Sequence, residues 1–310
     1  MSKRRRWPFI VGAVLIVLAP VFYWFFMESG APEGTYAIDL AEVRRLANSV
    51  PGEKASAIHF EPVAHFEFPA TAIVAGDGFA MKDMTVYSYQ LVFPDRRVIV
   101  DTTMDPVTAK QGGAVAFDAE AFARVTAALS DASQIVVTHE HFDHLAGLAM
   151  HPDAKALMAK ASLTKEQLAE PARMDPLVFP AAALEGYRPL ETGALHAIAP
   201  GVVLIKSPGH TPGSQLVYVQ RADGTEVLFL GDVAWHWRNV ELVRERARLV
   251  TAVFLHEDRA AVLRELAELH RLAEAEPKLN IVPGHDAERV ERFTTAGVLV
   301  KGFVPSAASK

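Results

Sequence analysis

A histidine-rich segment at the end of a buried strand constrains the fold of this chain more than any other feature of its sequence. The apolar run at residues 135–137 leads directly into THEHFDH, residues 138–144, which holds three imidazoles and the carboxylate of Asp143 within six residues. Three later apolar runs end in SPGHTPG, LGD and PGHD, and each places a further histidine or aspartate where a predicted strand stops. The side chains collected in this way are His139, His141, Asp143, His144, His210, Asp232 and His285. A fold that uses them together must bring strand ends to one place.

The residue types in this set favour a metal site. The chain contains no cysteine, which excludes structural disulfides, thiolate metal ligands and a cysteine nucleophile. Neutral imidazole and carboxylate are the ligands that zinc takes when thiolate is absent, and iron and manganese suit the same donors. In a loop that leaves a strand, His139 and His141 can point to one metal ion while Asp143 and His144 turn to its neighbour. The pattern therefore predicts two metal ions held side by side.

The order of the predicted elements indicates two sheets packed together with helices outside. An amphipathic helix with Leu40, Val43, Leu46 and Ala47 on one face precedes the strands. The stretch 152–200 is rich in alanine and proline and holds a short helix near residues 164–170. Longer helices are predicted over residues 117–129, 239–250 and 259–275. Strands are predicted over residues 86–93, 97–101, 134–138, 202–206, 215–220, 226–230 and 279–283.

The four motifs, in this order, resemble those of the metallo-β-lactamase superfamily, and the resemblance spans roughly residues 85–296. It implies an αββα sandwich of four layers with two zinc ions at one edge between the sheets. The ligand sets that it implies are His139, His141 and His210 for the first ion, and Asp143, His144 and His285 for the second. Asp232 would bridge the ions. A hydroxide shared by the two zincs would be the nucleophile, since zinc lowers the pKa of water to about 7, and Asp143 would orient it.

The bridging aspartate and the lack of cysteine narrow the expected reaction. True β-lactamases of this superfamily generally lack that carboxylate, and several use a cysteine at the second ion, so β-lactam cleavage is not favoured. The motifs are most similar to those of N-acyl-homoserine lactonases and related esterases, which predicts hydrolysis of a small-molecule lactone or ester. A glyoxalase II-like thioesterase and a sulfate- or phosphate-ester hydrolase are alternatives. An iron oxidoreductase and a metal-binding protein without turnover are less favoured, because no flavin domain is present and the ligand set is complete.

Four aromatic side chains outside the ligand set are candidates for contact with the substrate. Trp235, His236 and Trp237 follow Asp232 closely, and in the superfamily that the chain resembles the loop after this aspartate borders the pocket. They are predicted to shape an apolar cleft or to donate a proton, and simple packing at the start of a helix is the alternative. Tyr187 is a candidate phenol donor.

Residues 1–35 differ in character from the rest of the chain. Residues 7–27 form an uncharged apolar run, about long enough to cross hydrocarbon as a helix, and KRRR (residues 3–6) precedes it. This pattern predicts a basic cytoplasmic segment (1–6), a transmembrane signal anchor (7–27), a linker (28–35) and a hydrolase domain (36–310) on the periplasmic side of the cell inner membrane. A cleaved signal peptide, with the small residues SGA at 29–31, is the alternative and predicts a secreted protein.

The charge of the chain limits its partners. The formal net charge is −6 even though residues 3–6 are all basic, so the body is acidic. An acidic body without a basic stripe argues against a nucleic-acid partner. The expected partners are a small-molecule substrate and, through the N-terminal helix, a membrane.

Overall fold

A computed structural model of the chain describes residues 3–305. Residues 1–2 and 306–310 lie outside the described residues, as do the side chains of residues 3–6, 8–10 and 13. Part of the predicted basic segment 1–6 therefore lies outside them as well.

The N-terminal apolar run is helical. An α-helix, α1, covers Lys3–Phe22, and a π-helical turn continues it over Tyr23–Met27. From Val14 to Trp24 every side chain is exposed. Across the part of the chain that the structure describes, no helix combines the length and the apolar character that crossing a membrane requires. Residues 28–39 then run without regular secondary structure along the body.

Eleven strands of the described residues form two mixed sheets. The first sheet has the order β11-β1-β2-β3-β5, with β4 paired to β1, and contains β1 (Ala57–Pro69), β2 (Met81–Val92), β3 (Arg97–Val100), β4 (Ala116–Phe117), β5 (Gln134–Val136) and β11 (Val300–Lys301). The second has the order β10-β9-β8-β7-β6 and contains β6 (Leu195–Ala199), β7 (Val202–Lys206), β8 (Gln215–Gln220), β9 (Glu226–Phe229) and β10 (Asn280–Val282). Each sheet holds one parallel pair that matters for the site, β3 with β5 and β9 with β10.

Short and medium helices cover the sheets. The helices of the body are α2 (Leu40–Ala47), α3 (Ala70–Ile73), α4 (Pro106–Gln111), α5 (Ala119–Asp131), α6 (Phe142–Ala149), α7 (Ala154–Met158), α8 (Ala181–Leu184), α9 (Trp237–Leu242), α10 (Arg259–Ala275) and α11 (Ala287–Thr295). The predicted helix near residues 164–170 is a 3-10 turn over Glu166–Leu168.

Three apolar cores separate the layers. One core lies between the two sheets, a second lies between the first sheet and α4–α7, and a third lies between the second sheet and α2, α9 and α10. Strand β7 shows how the sequence specifies a sheet that is buried on both faces. Val202 and Leu204 face the core between the sheets, whereas Val203 and Ile205 face the helices. The predicted pair of packed sheets with helices outside is confirmed.

One predicted helix is wrong. Residues 239–250 do not form a continuous helix, because α9 ends at Leu242, Val243 adopts a left-handed backbone (φ 49°), and the chain continues irregularly to a π-helical turn over Val250–Leu255. The side-chain amide of Asn239 donates to the carbonyls of Ile73 and Arg244 and so stabilises this bend. The bend carries the following segment towards the edge where the predicted ligands lie.

Candidate metal centre

Strand ends bring the predicted ligands together at one edge of the two sheets. Asp232 follows β9 and His285 follows β10, and because these neighbours are parallel, both side chains leave the sheet at the same edge. His139 follows β5, His144 lies in the first turn of α6, and His210 lies between β7 and β8. The structure places all seven predicted ligands around one space, and every one except His141 is buried.

A first group of ligand atoms comes from His139, His141, His210 and Asp232, one atom from each, all within 4.8 Å of one another. His141 Nδ1 lies 3.1 Å from His139 Nε2 and 3.0 Å from His210 Nε2. Asp232 Oδ2 lies 3.7 Å from His139 Nε2 and 3.6 Å from His210 Nε2. Three imidazole nitrogens and one carboxylate oxygen are a donor set that zinc commonly takes.

A second group comes from Asp143, His144, Asp232 and His285. Asp232 Oδ1 lies 3.0 Å from His285 Nε2 and 3.3 Å from His144 Nε2. Asp143 Oδ2 lies 3.5 Å from His144 Nε2 and 3.6 Å from His285 Nε2. Asp232 belongs to both groups and offers a different oxygen to each, which is the position predicted for a bridging carboxylate.

The space between these side chains fits a pair of cations. Two buried atoms that face it, His144 Nε2 and Asp232 Oδ1, have no hydrogen-bond partner among the described residues, although buried polar atoms are nearly always paired or bound to water or ions. The backbone also makes room, since a Cβ on Gly284 would lie 2.5 Å from Asp232 Oδ1. Gly231 has a left-handed backbone (φ 49°), which glycine adopts without strain. Imidazole and carboxylate donors in this number suit zinc, with iron and manganese as further candidates.

Ligand imidazoles of the second group are oriented by partners on their outer nitrogens. His144 Nδ1 lies 2.8 Å from Asp101 Oδ2. His285 Nδ1 lies 3.0 Å from the backbone carbonyl of Thr85. Contacts of this kind select the ring nitrogen that faces a metal ion and hold the ring in place.

His210, in the first group, is oriented by a buried ion pair. Its Nδ1 lies 2.5 Å from Glu257 Oε1, and Glu257 also pairs with the buried Arg246. The Arg246 guanidinium lies 4.8 Å from the ring centroid of Trp235. The indole N–H of Trp235 donates to Asp232 Oδ2 at 2.6 Å. A chain of contacts thus joins one imidazole ligand to the bridging carboxylate.

Two of these orienting residues, Asp101 and Glu257, are not among the predicted site residues. Asp101 directly follows the apolar strand β3, which is the same signal that identifies Asp232 after β9. Glu257 lies in an irregular segment before α10, and its sequence neighbours carry no comparable signal.

The surroundings of His139 and His141 favour neutral imidazoles. Burial lowers the pKa of His141 to about 3 and holds the pKa of His139 well below its ordinary value. Burial acts to raise the pKa of Glu257, but the positive charge of Arg246 and the contact with His210 outweigh it, so the pKa is lowered. The carboxylate behind His210 is therefore ionised.

The second group is surrounded by negative charge. Burial acts to lower the pKa of His144, but Asp143, Asp101 and Asp232 outweigh burial and raise the pKa well above its ordinary value. The same holds for His285, whose pKa is raised by Asp232 against the effect of burial. Burial acts to raise the pKa of Asp232, but His285 and His144 hold it well below its usual range.

A cavity of about 780 Å³ opens on both groups of ligand atoms. Four of the ligands lie in its wall, namely His141, Asp143, Asp232 and His285. The rest of the wall is largely apolar and includes Phe66, Phe68, Met84, Phe142, Trp235 and Leu255. The geometry suits the binding of a molecule with an apolar portion, whose reactive atom would face the ligands.

The four residues predicted to contact the substrate lie in different surroundings, and one of them lines the cavity. Trp235 lines the cavity. His236 caps the start of α9, where its Nδ1 accepts from the N–H of Arg238. Trp237 lies under the guanidinium of Arg289, at 3.8 Å. The Tyr187 hydroxyl accepts from the N–H of Leu163 at 2.7 Å and joins segments of the middle stretch. His236, Trp237 and Tyr187 are not part of the cavity wall.

Comparison with known proteins supports this description. Residues 82–285 match the metallo-β-lactamase superfamily. Two curated proteins, each described as a probable metallo-hydrolase, from Mycobacterium bovis and Mycobacterium tuberculosis, are 30% identical to this chain over 181 residues. The match covers 51% of this chain and 56% of theirs, so the chain spans little more than half the length of these relatives.

Solved structures show the same fold. A quorum-quenching N-acyl homoserine lactone lactonase superposes with a TM-score of 0.61 at 18% identity, over 78% of this chain and 97% of the other. A probable metal-dependent hydrolase from Staphylococcus aureus superposes with a TM-score of 0.54 at 14% identity, over 75% and 91%. At these identities the likeness is one of fold.

Proposed function

This chain belongs to the metallo-β-lactamase superfamily, and from that premise we propose that it is a metal-dependent hydrolase that cleaves a neutral lactone or ester with an apolar acyl group at a pair of zinc ions. The observation that carries the proposal is the apolar cavity that opens on both groups of ligand atoms. The solved structures that share its fold include N-acyl homoserine lactone hydrolases, one of them with the product N-hexanoyl-L-homoserine at its catalytic metal centre.

The charge of the cavity wall favours a neutral substrate over a sulfate or phosphate ester. Arg173 is the arginine of the described wall, and its side chain pairs with Glu170 at 2.6 Å. Asp175 adds a further negative charge. An anionic ester would meet these carboxylates without a free guanidinium in the wall to bind it.

The residues of the chain divide the chemical work. Zinc ions in this site would lower the pKa of water towards neutrality and polarise a carbonyl oxygen. Asp143 lies both in the second ligand group and in the cavity wall, so its carboxylate can accept a hydrogen bond from the attacking water and orient it. Phe66 and Phe142 exclude bulk water and position the acyl group. Trp235 holds Asp232 Oδ2 through its indole N–H.

A hydrolysis panel tests the proposal. The full chain, purified in detergent with its bound metal measured, is offered acyl-lactones, carboxylic esters, thioesters, phosphoesters, sulfate esters and β-lactams. We expect two zinc ions per chain and the highest kcat/KM on lactones or esters, with Asp232→Ala inactive on each. Preferred cleavage of thioesters with intact lactones would replace the proposal by the glyoxalase II-like alternative. Bound metal without cleavage of any substrate would favour a binding protein.

We also propose that the chain is held at the cell inner membrane by residues 7–27, with residues 36–310 on the periplasmic side. The KRRR cluster before the apolar run supports this orientation. Contacts just beyond the run favour a retained segment over a cleaved one, since Ser29 Oγ donates to Glu245 Oε2 at 2.6 Å and the N–H of Gly30 donates to Glu245 Oε1 at 3.0 Å. Protease treatment of spheroplasts should digest the body, and mass spectrometry of the mature chain should find residues before Ser29. A protected body or a new N-terminus near residue 31 would contradict the proposal.

A further inference from the structure

We infer that the entrance of the cavity rests on a phospholipid bilayer, so that an apolar-tailed substrate enters from the lipid. The inference rests on the proposed function, because it assigns to the proposed ester or lactone hydrolase a substrate that partitions into membranes. It starts from the place where the apolar N-terminal helix meets the body.

Two segments of the body hold the end of this helix. On one side, the Thr71 hydroxyl donates to the carbonyl of Phe26 at 2.6 Å. On the other side, the Arg248 guanidinium lies 4.4 Å from the ring centroid of Trp24 and also pairs with Glu28. The helix therefore leaves the body between residue 71 and residue 248.

The same two segments continue into the wall of the cavity. Ala72 lies next to Thr71 and lines the cavity. Val250 and Leu255 belong to the π-helical turn that follows Arg248, and both line the cavity. The helix therefore emerges next to the wall of the cavity, and Phe254, which lines that wall, is 71% exposed on the same segment.

Four exposed apolar side chains on these segments form what we call the apolar rim, namely Phe79, Met81, Val253 and Phe254. Phe79 and Met81 follow the first segment and are 58% and 56% exposed, and Val253 and Phe254 on the second are 52% and 71% exposed. The Phe79 ring lies 6.0 Å from the ring of Phe22, so the rim is continuous with the end of α1. Several large apolar side chains left exposed beside an apolar helix mark an interaction site.

The pattern of exposure on the helix identifies the occupant as lipid. The side chains from Val14 to Trp24 are exposed in an unbroken run that covers every side of the helix. A protein partner covers one stripe of a helix, whereas hydrocarbon covers all sides of it. The basic residues 3–6 precede this run, and basic clusters beside an apolar helix favour anionic headgroups.

This orientation has a consequence for the substrate. With the rim in the interface, the apolar wall of the cavity is continuous with the acyl region of the bilayer. An ester or lactone with a long acyl chain can then move from lipid to cavity without exposing the chain to water. The substrate class is therefore a membrane-partitioned acyl ester or lactone rather than a freely soluble one.

Single-cysteine labelling tests the inference on the full chain. The chain has no cysteine, so Phe79→Cys and Val253→Cys can each carry an environment-sensitive fluorophore in vesicles of phosphatidylcholine and phosphatidylglycerol. Neither position lines the cavity. Val17→Cys reports on the helix. Asp95→Cys, at an exposed position in the turn between β2 and β3, is the aqueous control. We expect a blue-shifted, several-fold brighter signal at positions 17, 79 and 253 and none at position 95.

The outcomes separate this inference from the proposed function. An apolar signal at position 17 with an aqueous signal at positions 79 and 253 would overturn the inference and leave the anchor intact. Aqueous signals at all four positions would overturn both the inference and the proposed membrane anchor. Because the fluorophore reports immersion and not turnover, the result does not depend on whether an ester is cleaved.

A rate comparison supplies a second measurement. The double variant Phe79→Ser/Val253→Ser keeps the metal centre and the cavity wall unchanged. We expect it to cleave a long-chain ester carried in vesicles about tenfold more slowly than the unaltered chain, because two apolar side chains are lost from the interface. Cleavage of a short soluble ester should be unchanged. Equal rates of the two proteins on the vesicle-borne ester would overturn the inference.

Discussion

The two ligand groups of the metal centre use the same kinds of side chain, but the protein surrounds them differently. The first group has three imidazoles and shares one carboxylate, whereas the second has two imidazoles and two carboxylates. In the first group, burial keeps His139 and His141 neutral, as their lowered pKa values indicate. In the second group, Asp101 adds a further carboxylate behind His144, and the pKa of this imidazole is raised.

This difference shows how one set of motifs gives two unequal sites. His139 and His141 accept a cation as neutral imidazoles. His144 and His285 release protons when a cation binds, and the second group offers more negative charge. The inequality comes partly from the ligands, since the second group has one carboxylate more than the first, and partly from the residues behind them. Glu257 with Arg246 lies behind His210, and Asp101 lies behind His144. Substitution of the shared Asp232, and then of the residues behind each group, can therefore separate the contributions to the two sites.

Removal of the shared carboxylate should have the largest effect, because both groups lose an oxygen at once. For Asp232→Ala we expect kcat/KM to fall by about 10³-fold or more, which is roughly 4 kcal/mol of barrier, and the bound zinc to fall below two ions per chain. Metal analysis and ester hydrolysis check this, with the exposed Asp95→Ala as control. If Asp232→Ala kept two zinc ions and full activity, the two ligand groups would not depend on a shared carboxylate, and the role assigned to Asp232 would be contradicted.

Substitution of the orienting carboxylates should affect one group at a time. Asp101→Asn removes the charge behind His144, and Glu257→Gln removes the charge behind His210. Loss of such partners typically lowers metal affinity by about 10- to 100-fold. We expect each variant to retain one tight ion and to bind the other more weakly, as measured by titration of zinc into metal-free protein.

The stability of the two variants should differ as well. Glu257→Gln leaves the buried Arg246 without its ion-pair partner, and an uncompensated buried charge costs roughly 3–5 kcal/mol. Asp101→Asn leaves no cation unpaired and should unfold at a denaturant concentration closer to that of the unaltered chain. In the zinc titration, an equal loss of affinity for both ions in both variants would show that Asp101 and Glu257 do not act on separate ligand groups.

These orienting residues also show where prediction from sequence ends. The ligands are predictable because each follows an apolar strand and sits in a turn with a local signature, as His139 and Asp232 do. The layered sheets are predictable because strands such as β7 have an apolar residue at nearly every position. The partner of His210 is not predictable, because Glu257 reaches it across 47 positions of the chain from a segment without regular structure.

The helix predicted over residues 239–250 failed for a related reason. Its apolar spacing is helical, but the contacts of Asn239 with the carbonyls of Ile73 and Arg244 bend the chain. The bend brings Arg246 to Glu257. Tertiary contacts that the local pattern does not contain thus decide both the shape of this segment and the environment of His210.

A smaller effect should follow from loss of the indole hydrogen bond to the shared carboxylate. Trp235→Phe keeps an aromatic side chain in the cavity wall but removes the N–H that donates to Asp232 Oδ2 at 2.6 Å. Hydrogen bonds to charged groups contribute about 1.5–3 kcal/mol, and since bound cations would still hold Asp232, we expect a decrease in kcat/KM of about five- to tenfold.

The neighbouring tryptophan supplies a matched control for that measurement. Trp237 packs under Arg289 and is not part of the cavity wall, so Trp237→Phe should leave kcat/KM within about twofold, as surface-packing changes usually do. A larger loss for Trp237→Phe than for Trp235→Phe would place the substrate on the other side of Asp232 and contradict the description of the cavity.

The last effect concerns stability rather than activity, and it arises from a buried carboxyl group behind the turn that carries His210. Glu265 Oε1 accepts from the N–H of Gly209 at 3.0 Å, and burial raises the pKa of Glu265 to about 7. In the unfolded chain this group titrates near pH 4.5. Between these values the folded state binds the extra proton, so the free energy of unfolding should fall as pH rises from about 4.5 to 7 and then level off.

Glu265→Gln removes this dependence, because the amide oxygen still accepts from Gly209 and carries no charge at any pH. The effect of this one group amounts to roughly 3 kcal/mol, so the variant should be more stable than the unaltered chain at pH 8 and nearly equal to it at pH 5. Denaturant unfolding at both pH values, with the exposed Glu274→Gln on the same helix as control, measures the difference. If Glu265→Gln lowered stability at pH 8, the carboxylate would be ionised and paired in the folded state. The turn that carries His210 would then be backed by a second ionised carboxylate beside Glu257, and the surroundings of the two ligand groups would differ less in charge.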